Sequence, residues 1–225
     1  MLLYHFIDAN YGLLNILNRH LKVSRLSQLN DPYELWGVVA LESDLKKRLV
    51  DLRKYTDETY GIICFSKTWK NPLVWSHYAD NHKGICLGFE IEEDSVVKID
   101  YVREPRILTE SDLDGKNSKV KSSNILNTKY INWAYEKEYR TFIRHKDCNK
   151  IGACNFLDIS DEMNLKEIII GNKSDLNYSS IKRALGEYSS KVEIYASQMS
   201  KYKYQIVRSK NQNRKRRRPE DLRPS

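Results

Sequence analysis

Trp75-Ser76-His77-Tyr78-Ala79-Asp80-Asn81-His82-Lys83-Gly84-Ile85-Cys86-Leu87-Gly88-Phe89-Glu90 sets the reading of this chain. Groups able to do chemistry crowd into one turn, and an apolar run from Ile85 to Ile91 follows a glycine at once. That order predicts a short helix or loop feeding a buried strand, the layout that presents a site at a sheet edge. Trp75 and Tyr78 share a helical face, which is the pattern of core aromatics. His77, Asp80, Asn81 and His82 are not what a core requires.

On either side the same alternation of short strands and isolated helices continues. Leu2 to Ile7 is β-rich; Asn10 or Asp8 can cap a helix over Tyr11–Arg19, whose Leu13, Leu14, Ile16 and Leu17 form an apolar stripe. Leu21 to Ser24 alternates as a second strand, Leu41 to Glu58 reads as an amphipathic helix, and Gly61–Ser66 as a buried strand. Val96 to Val102 and Lys137 to Arg144 are strands, and Glu110 to Ser123 is patternless. Leu165–Gly171 is a buried strand, Ser179–Tyr188 a helix, and Val192–Ala196 and Tyr202–Val207 are late strands. Many strands with few intervening helices predict an α+β fold: a mixed, largely antiparallel split sheet with peripheral helices.

The composition suits one domain over residues 1–207 with an appendage at 208–225. The net charge of +8 is unevenly spread. The last 18 residues hold eight of the 38 Lys and Arg and two of the 30 acids, so the body carries only +2. The run Arg214-Lys215-Arg216-Arg217-Arg218 cannot pack and is expected to be disordered. It could bind nucleic acid phosphates, serve as a localisation signal, or simply solubilise. No stretch approaches the roughly 20 apolar residues needed to cross a bilayer. The N-terminus reads as a strand rather than a leader, which predicts a cytoplasmic protein without membrane contact, or one that leaves the cell without a Sec-type signal. Four cysteines show no metal spacing, so no metal site is expected; Cys148 and Cys154 could form a chance disulfide.

Three further constellations could carry chemistry. His5 alternates with Tyr4 and Phe6, so it faces away from their side of the sheet. Asn30-Asp31-Pro32-Tyr33-Glu34 offers three side-chain acceptors locked by a proline, either a plain turn or a loop contacting a polar ligand. The period of two puts Glu136, Glu138 and Arg140 on one strand face, directly after Trp133-Ala134-Tyr135. They form either a solvated ion-pair ladder or a site with perturbed carboxylates. A glycosidase pair would also fit carboxylates about 7 Å apart, but no aromatic-lined sugar cleft accompanies it. Walker, Rossmann and nucleophile-elbow patterns are absent.

Together these pieces resemble an uncharacterised bacterial domain family, over roughly residues 2–207. Its pattern appears in order as Leu3-Tyr4-His5-Phe6, Asn30 to Glu34, Cys64-Phe65-Ser66, Trp75 to Gly84, Trp133 to Arg140, and Glu167 to Gly171. A second resemblance is to ADP-ribosyltransferases of the His-Tyr-Glu type. It rests on Leu3-Tyr4-His5, on Ser76-His77-Tyr78-Ala79 before Gly84-Ile85-Cys86-Leu87-Gly88, and on Glu138-Tyr139. That resemblance implies NAD as substrate, with His5 on the adenosine ribose, Tyr78 on nicotinamide and Glu138 on the nicotinamide ribose. Ser66 and Trp75 would line the NAD site. Asn30, Asp31, Glu34, His77 and Arg140 would meet the substrate, and Glu136 the acceptor. Glu136-Lys137-Glu138 also resembles the E-x-E of arginine-directed transferases, which carry Arg where this chain has His5.

The expected activity is therefore that of a toxin or phage-defence effector modifying nucleic acid or protein, with a protein inhibitor as a further partner. Two alternatives stand beside it. One is a non-catalytic module binding a nucleotide or nucleic acid; the other is a metal-dependent nuclease built on Glu136, Glu138, Asp31 and His77.

Overall fold

A computed structural model describes residues 1–34, 37–113 and 126–210; the basic run 214–218 and most of the patternless 110–123 segment lie outside them. The chain opens with strand β1 (Leu2–Ile7), helix α1 (Ala9–Asn18) and strand β2 (His20–Arg25). Then come β3 (Val38–Val39), α2 (Ser43–Thr59), β4 (Tyr60–Ser66), α3 (Pro72–Tyr78) and β5 (Ile85–Ile91). The middle holds β6 (Val97–Lys98), β7 (Asp100–Val102), β8 (Arg106–Ile107), α4 (Glu110–Leu113), β9 (Thr128–Tyr130) and β10 (Glu138–Arg144). It ends with β11 (Asn149–Ile151), β12 (Cys154–Asp158), β13 (Met163–Ile170), α5 (Tyr178–Leu185), β14 (Glu193–Met199) and β15 (Ile206–Arg208). This is an α+β fold with a largely antiparallel sheet.

The chain divides into two compact units, each discontinuous in sequence. The first is built from Met1, His20–Lys67 and Ile91–Ile159; the second takes Leu2–Arg19, Thr68–Glu90 and the chain from Ser160. In the first unit the strands run β11-β12-β2-β4, with β10 pairing β4 along its whole length and β6 pairing β10. All of these pairs are antiparallel. Two small parallel pairs, β3 with β8 and β7 with β9, form separate two-stranded sheets. Leu45 and Leu49 of α2 pack with Val38, Ala40 and Leu108 in one apolar cluster.

The second unit has the order β1-β5-β13-β14-β15. β1 and β5 are antiparallel, β13 and β14 parallel, and β15 returns antiparallel. Phe6 packs its ring edge-on to Trp75 at 5.2 Å, and Trp75 is fully buried. Asp8, not Asn10, caps α1, its Oδ1 accepting from the backbone N–H groups of Asn10 (2.9 Å) and Tyr11 (3.0 Å).

Several sequence expectations are corrected. Of the stripe Leu13, Leu14, Ile16 and Leu17 only Ile16 is buried, joined there by Gly12 and Asn15, while Leu13 is half-buried and Leu14 and Leu17 are exposed. Gly12 decides this, because a Cβ there would sit 2.5 Å from Ile85 Cδ1. Val96–Val102 is two short strands, since Ile99 turns its N–H to Glu138 O and lets β6 and β7 pair different partners. Glu110–Leu113 is a helical turn, begun by Thr109 Oγ1 donating to Asp112 at 2.6 Å. Tyr202–Gln205 is not strand: Ser200 Oγ accepts from the N–H groups of Tyr202 and Lys203, so a local turn replaces the ladder. All four cysteines are free thiols.

Candidate functional site

The first unit contains a buried ionic network centred on the start of β10. Arg140 is wholly buried and directs all five of its N–H donors to partners. Nη1 and Nη2 clamp the Glu34 carboxylate at 2.6 and 2.9 Å. Nε and Nη2 reach Glu138 at 2.6 and 3.2 Å, and Nη1 also donates to Leu126 O. Lys129 bridges Glu138 to a third carboxylate, 2.6 Å from Glu136 Oε2 and 2.9 Å from Glu138 Oε2. Its ammonium also stands 5.0 Å from the centre of the Trp133 ring. Ser66, opposite Glu138 in the β4–β10 register, donates its hydroxyl to Glu136 O at 2.5 Å.

Glu136 arrives by a route that strand periodicity does not describe. It ends a 3-10 turn, Ile131–Glu136, and Lys137 then takes a left-handed conformation (φ 49°, ψ 50°). β10 begins only at Glu138. The turn, rather than alternation, brings Glu136 beside Glu138; from Glu138 to Arg140 the period of two holds, and both side chains are buried.

Electrostatics follow from this geometry. Burial alone would push the Glu138 carboxyl up, but Arg140 and Lys129 overcome it and hold it down to about 2. Burial likewise opposes the charge on Lys129, and Glu138 and Glu136 more than reverse that, raising it above the ordinary ammonium range. Burial pushes the Tyr101 phenol up to about 12, and the Glu138 and Glu136 charges add to it; its oxygen accepts from the Glu138 N–H at 2.8 Å. Burial also raises the Cys64 thiol, with Glu138 reinforcing the shift, so this strand neighbour of Arg140 stays neutral. Among the described residues the network joins three carboxylates, Glu34, Glu136 and Glu138, to two cations, Lys129 and Arg140.

The Asn30–Glu34 loop is tied to this network through Glu34. Asp31 is buried, and its Oδ1 accepts from the Tyr33 N–H at 2.9 Å, the Asx turn that the sequence suggests. Asp31 Oδ2 and Asn127 Oδ1 are buried with no hydrogen-bond partner among the described residues. Asn30 is exposed.

The second unit holds the remaining sequence candidates. His5 is half-buried on β1, opposite Leu87 of β5. Trp75 donates its indole N–H to Trp69 O at 2.6 Å, so its polar tip is satisfied inside the core. His77 is exposed and Tyr78 half-buried at the end of α3, their ring centres 6.1 Å apart. The next three residues, Asp80, Asn81 and His82, all have positive φ (42°, 51° and 72°). His82 Nε2 lies 3.1 Å from Ser76 Oγ, and its ring lies parallel to that of Trp75. Burial, aided by Lys173, lowers the His82 pKa and keeps the imidazole neutral. Its Nδ1 is buried without a hydrogen-bond partner among the described residues.

Glu34, Ser66, Glu136, Glu138 and Arg140 are thus brought together, with Asp31 in the loop that Glu34 anchors. His5, Trp75, His77 and Tyr78 fall in the other unit. Lys129 and Tyr101 escaped sequence reasoning. Neither sits in a motif, and Lys129 lies in the lysine-containing stretch Asn127-Thr128-Lys129-Tyr130, which gives no sign of burial. The Glu167 of the E-I-I-x-G pattern is also explained: Tyr195 and Tyr4 donate to its Oε2 at 2.9 and 3.4 Å.

Among the described residues no group of three or more His, Cys, Asp and Glu side chains is placed to hold a metal ion. No helix among them is long and apolar enough to cross a membrane. No curated protein and no solved structure matches this chain. Residues 74–141, which span both the Trp75–Gly84 and the Trp133–Arg140 motifs, match the model of an uncharacterised family described as "Protein of unknown function (DUF2971)".

Proposed function

We propose that the chain is an NAD-consuming ADP-ribosyltransferase-like enzyme in which Glu138 stabilises the charge that develops on the nicotinamide ribose. The observation that carries this reading is the placement of Glu138 beside Glu136, both held on Lys129, with Arg140 and Lys129 keeping the Glu138 carboxyl ionised at neutral pH. Breaking the ribose–nicotinamide bond leaves positive charge on the sugar and releases neutral nicotinamide. A fixed carboxylate stabilises that transition state more than the ground state. An acid catalyst would need a raised carboxyl pKa, whereas an electrostatic stabiliser is best with a lowered one. Glu136 would take the proton of the acceptor as its oxygen or nitrogen bonds to the ribose. Nucleic acid, protein and water are the acceptor classes to be compared.

The assay incubates purified protein with labelled NAD, alone and with cell lysate, and follows free nicotinamide and transferred label. Glu138→Gln is expected to lower turnover by about a hundredfold or more, with Glu136→Gln affecting transfer rather than NAD loss. Wild-type protein that neither consumes NAD nor transfers label, or that behaves as Glu138→Gln does, overturns the proposal.

A second reading is favoured by burial. Glu138 and Arg140 are 4% and 0% exposed, as expected where a network only fixes the Asp31–Glu34 loop of a non-catalytic nucleotide-binding module. That reading predicts ligand binding with no turnover under the same assay. The nuclease reading is not carried forward, because the Lys129 ammonium fills the position between Glu136 and Glu138 where a bridging cation would act.

A further inference from the structure

The first unit contains a cavity of about 290 Å³. Its walls are Tyr33, which follows the Asp31–Pro32 turn, and Tyr130, at the end of β9; Gly37, Val102 and Pro105 complete it. Both tyrosines are conspicuously wet for large aromatic groups, 69% and 45% exposed. Their backbones, however, are held by hydrogen bonds. The Tyr33 N–H donates to Asp31 Oδ1, and the neighbouring Glu34 is clamped by Arg140. Tyr130 is paired with Val102 in the β7–β9 register, and its hydroxyl accepts from Asn132 Nδ2 at 3.1 Å. Two exposed rings on hydrogen-bonded backbone lose less conformational freedom than rings on a free loop when a flat ligand stacks on them.

The rest of the cavity supplies complementary chemistry. Gly37 is required by its surroundings, since a Cβ there would meet Thr128 Cβ at 2.5 Å. Arg103 and Glu104 also line the cavity and are exposed; neither forms an ion pair among the described residues. A cation and an acceptor beside aromatic walls suit a phosphate and a sugar hydroxyl respectively. The volume lies at the lower end of the roughly 300–1,000 Å³ usual for ligand pockets. It offers room for one base and its sugar rather than for an entire dinucleotide.

We infer that this cavity binds a purine mononucleotide unit, with the base against Tyr33 and Tyr130, a ribose hydroxyl on Glu104 and the phosphate on Arg103. The source is either a free mononucleotide or the adenylate half of a dinucleotide; only the second source rests on the NAD-consuming reading.

Calorimetric titration of the full chain with AMP, adenosine, NAD and ribose 5-phosphate tests this. AMP is expected to bind, and Tyr33→Ala and Tyr130→Ala to weaken it by about tenfold or more, while Tyr33→Phe binds as wild type. Arg103→Gln should weaken AMP and leave adenosine unchanged. The exposed Tyr33 can be removed without unfolding the chain, which a thermal melt verifies. Binding of AMP without NAD identifies a free mononucleotide as the source, and binding of both identifies the dinucleotide. No binding of AMP or NAD to wild type, or wild-type AMP affinity in both tyrosine-to-alanine variants, overturns the inference. The two proposals fail separately. Loss of AMP binding in Tyr33→Ala with no NAD consumption by wild type keeps the pocket and removes the transferase. NAD consumption abolished by Glu138→Gln, with AMP affinity untouched by the tyrosine changes, does the reverse.

Discussion

At the residue scale, Lys129 is the group on which the network depends. Its ammonium is the shared partner of two buried carboxylates, and removing it would leave Glu136 and Glu138 facing each other without their bridging cation. Breaking a buried ion pair by deleting one partner costs about 3–5 kcal/mol, because the remaining charge stays desolvated. Lys129→Met is therefore expected to destabilise the chain by about that amount in urea titrations. Adding Glu136→Gln should restore part of the loss. Equal midpoints for Lys129→Met and wild type would show that the carboxylates are solvated and the network is not a buried one. Asp80, Asn81 and His82 make a different residue-scale point. Asp, Asn and His are the side chains that best tolerate positive φ, which explains why this triplet, and not a string of glycines, ends the Trp75 motif.

At the element scale, the boundary between the Ile131–Glu136 turn and β10 aims Glu136 at Lys129. Lys137 holds that boundary in a left-handed conformation that costs an L-residue roughly 1–2 kcal/mol and costs glycine little. Its side chain is exposed, and its carbonyl accepts from the Lys67 N–H. Lys137→Gly is expected to stabilise the chain by up to about 1 kcal/mol, part of the gain being offset by the freer unfolded state. A melting temperature raised by roughly 2–4 °C would show it. A lowered one would mean that the Lys137 side chain contributes contacts of its own. The same boundary shows how far periodicity reaches. Alternation places Glu138 and Arg140 correctly, and it fails one residue earlier, where the chain is no longer strand.

At the scale of the whole molecule, the shifted groups set a stability profile against pH. Glu138, His82 and His20 all have folded pKa values below their ordinary ones; burial is the first cause for both histidines. On acidification the unfolded chain therefore takes up protons first, and stability falls. The histidine contribution is full above their ordinary 6.5 and declines below it. The Glu138 contribution is full above 4.5 and is lost as pH falls toward about 2. In the alkaline direction Tyr101 stays protonated to about 12 in the fold, so its contribution is lost above the ordinary 10. Urea midpoints should be flat between roughly pH 7 and 10 and fall in two steps on the acid side. His82→Gln should shrink the first acid step and leave the second. An acid limb without a step near 4 would contradict the lowered Glu138 pKa.

Most of the strands and helices were legible in the sequence because hydrophobic period and capping are local properties. Ile85 to Ile91 had to be a buried strand, and Asp8 could cap α1 without reference to anything distant. The α+β class followed from the same local evidence, and so did the grouping of Glu138 with Arg140. What the fold alone decided is long-range. Arg140 meets Glu34 across 106 residues of chain, Lys129 is drawn from a stretch with no motif, and the close approach at Gly12 turns the buried face of α1 toward Gly12, Asn15 and Ile16 and leaves Leu14 and Leu17 outside. Local propensity says where a side chain lies along its element. Charge pairing, close approach and the enclosure of a cavity by Tyr33 and Tyr130 depend on which elements the tertiary structure places side by side.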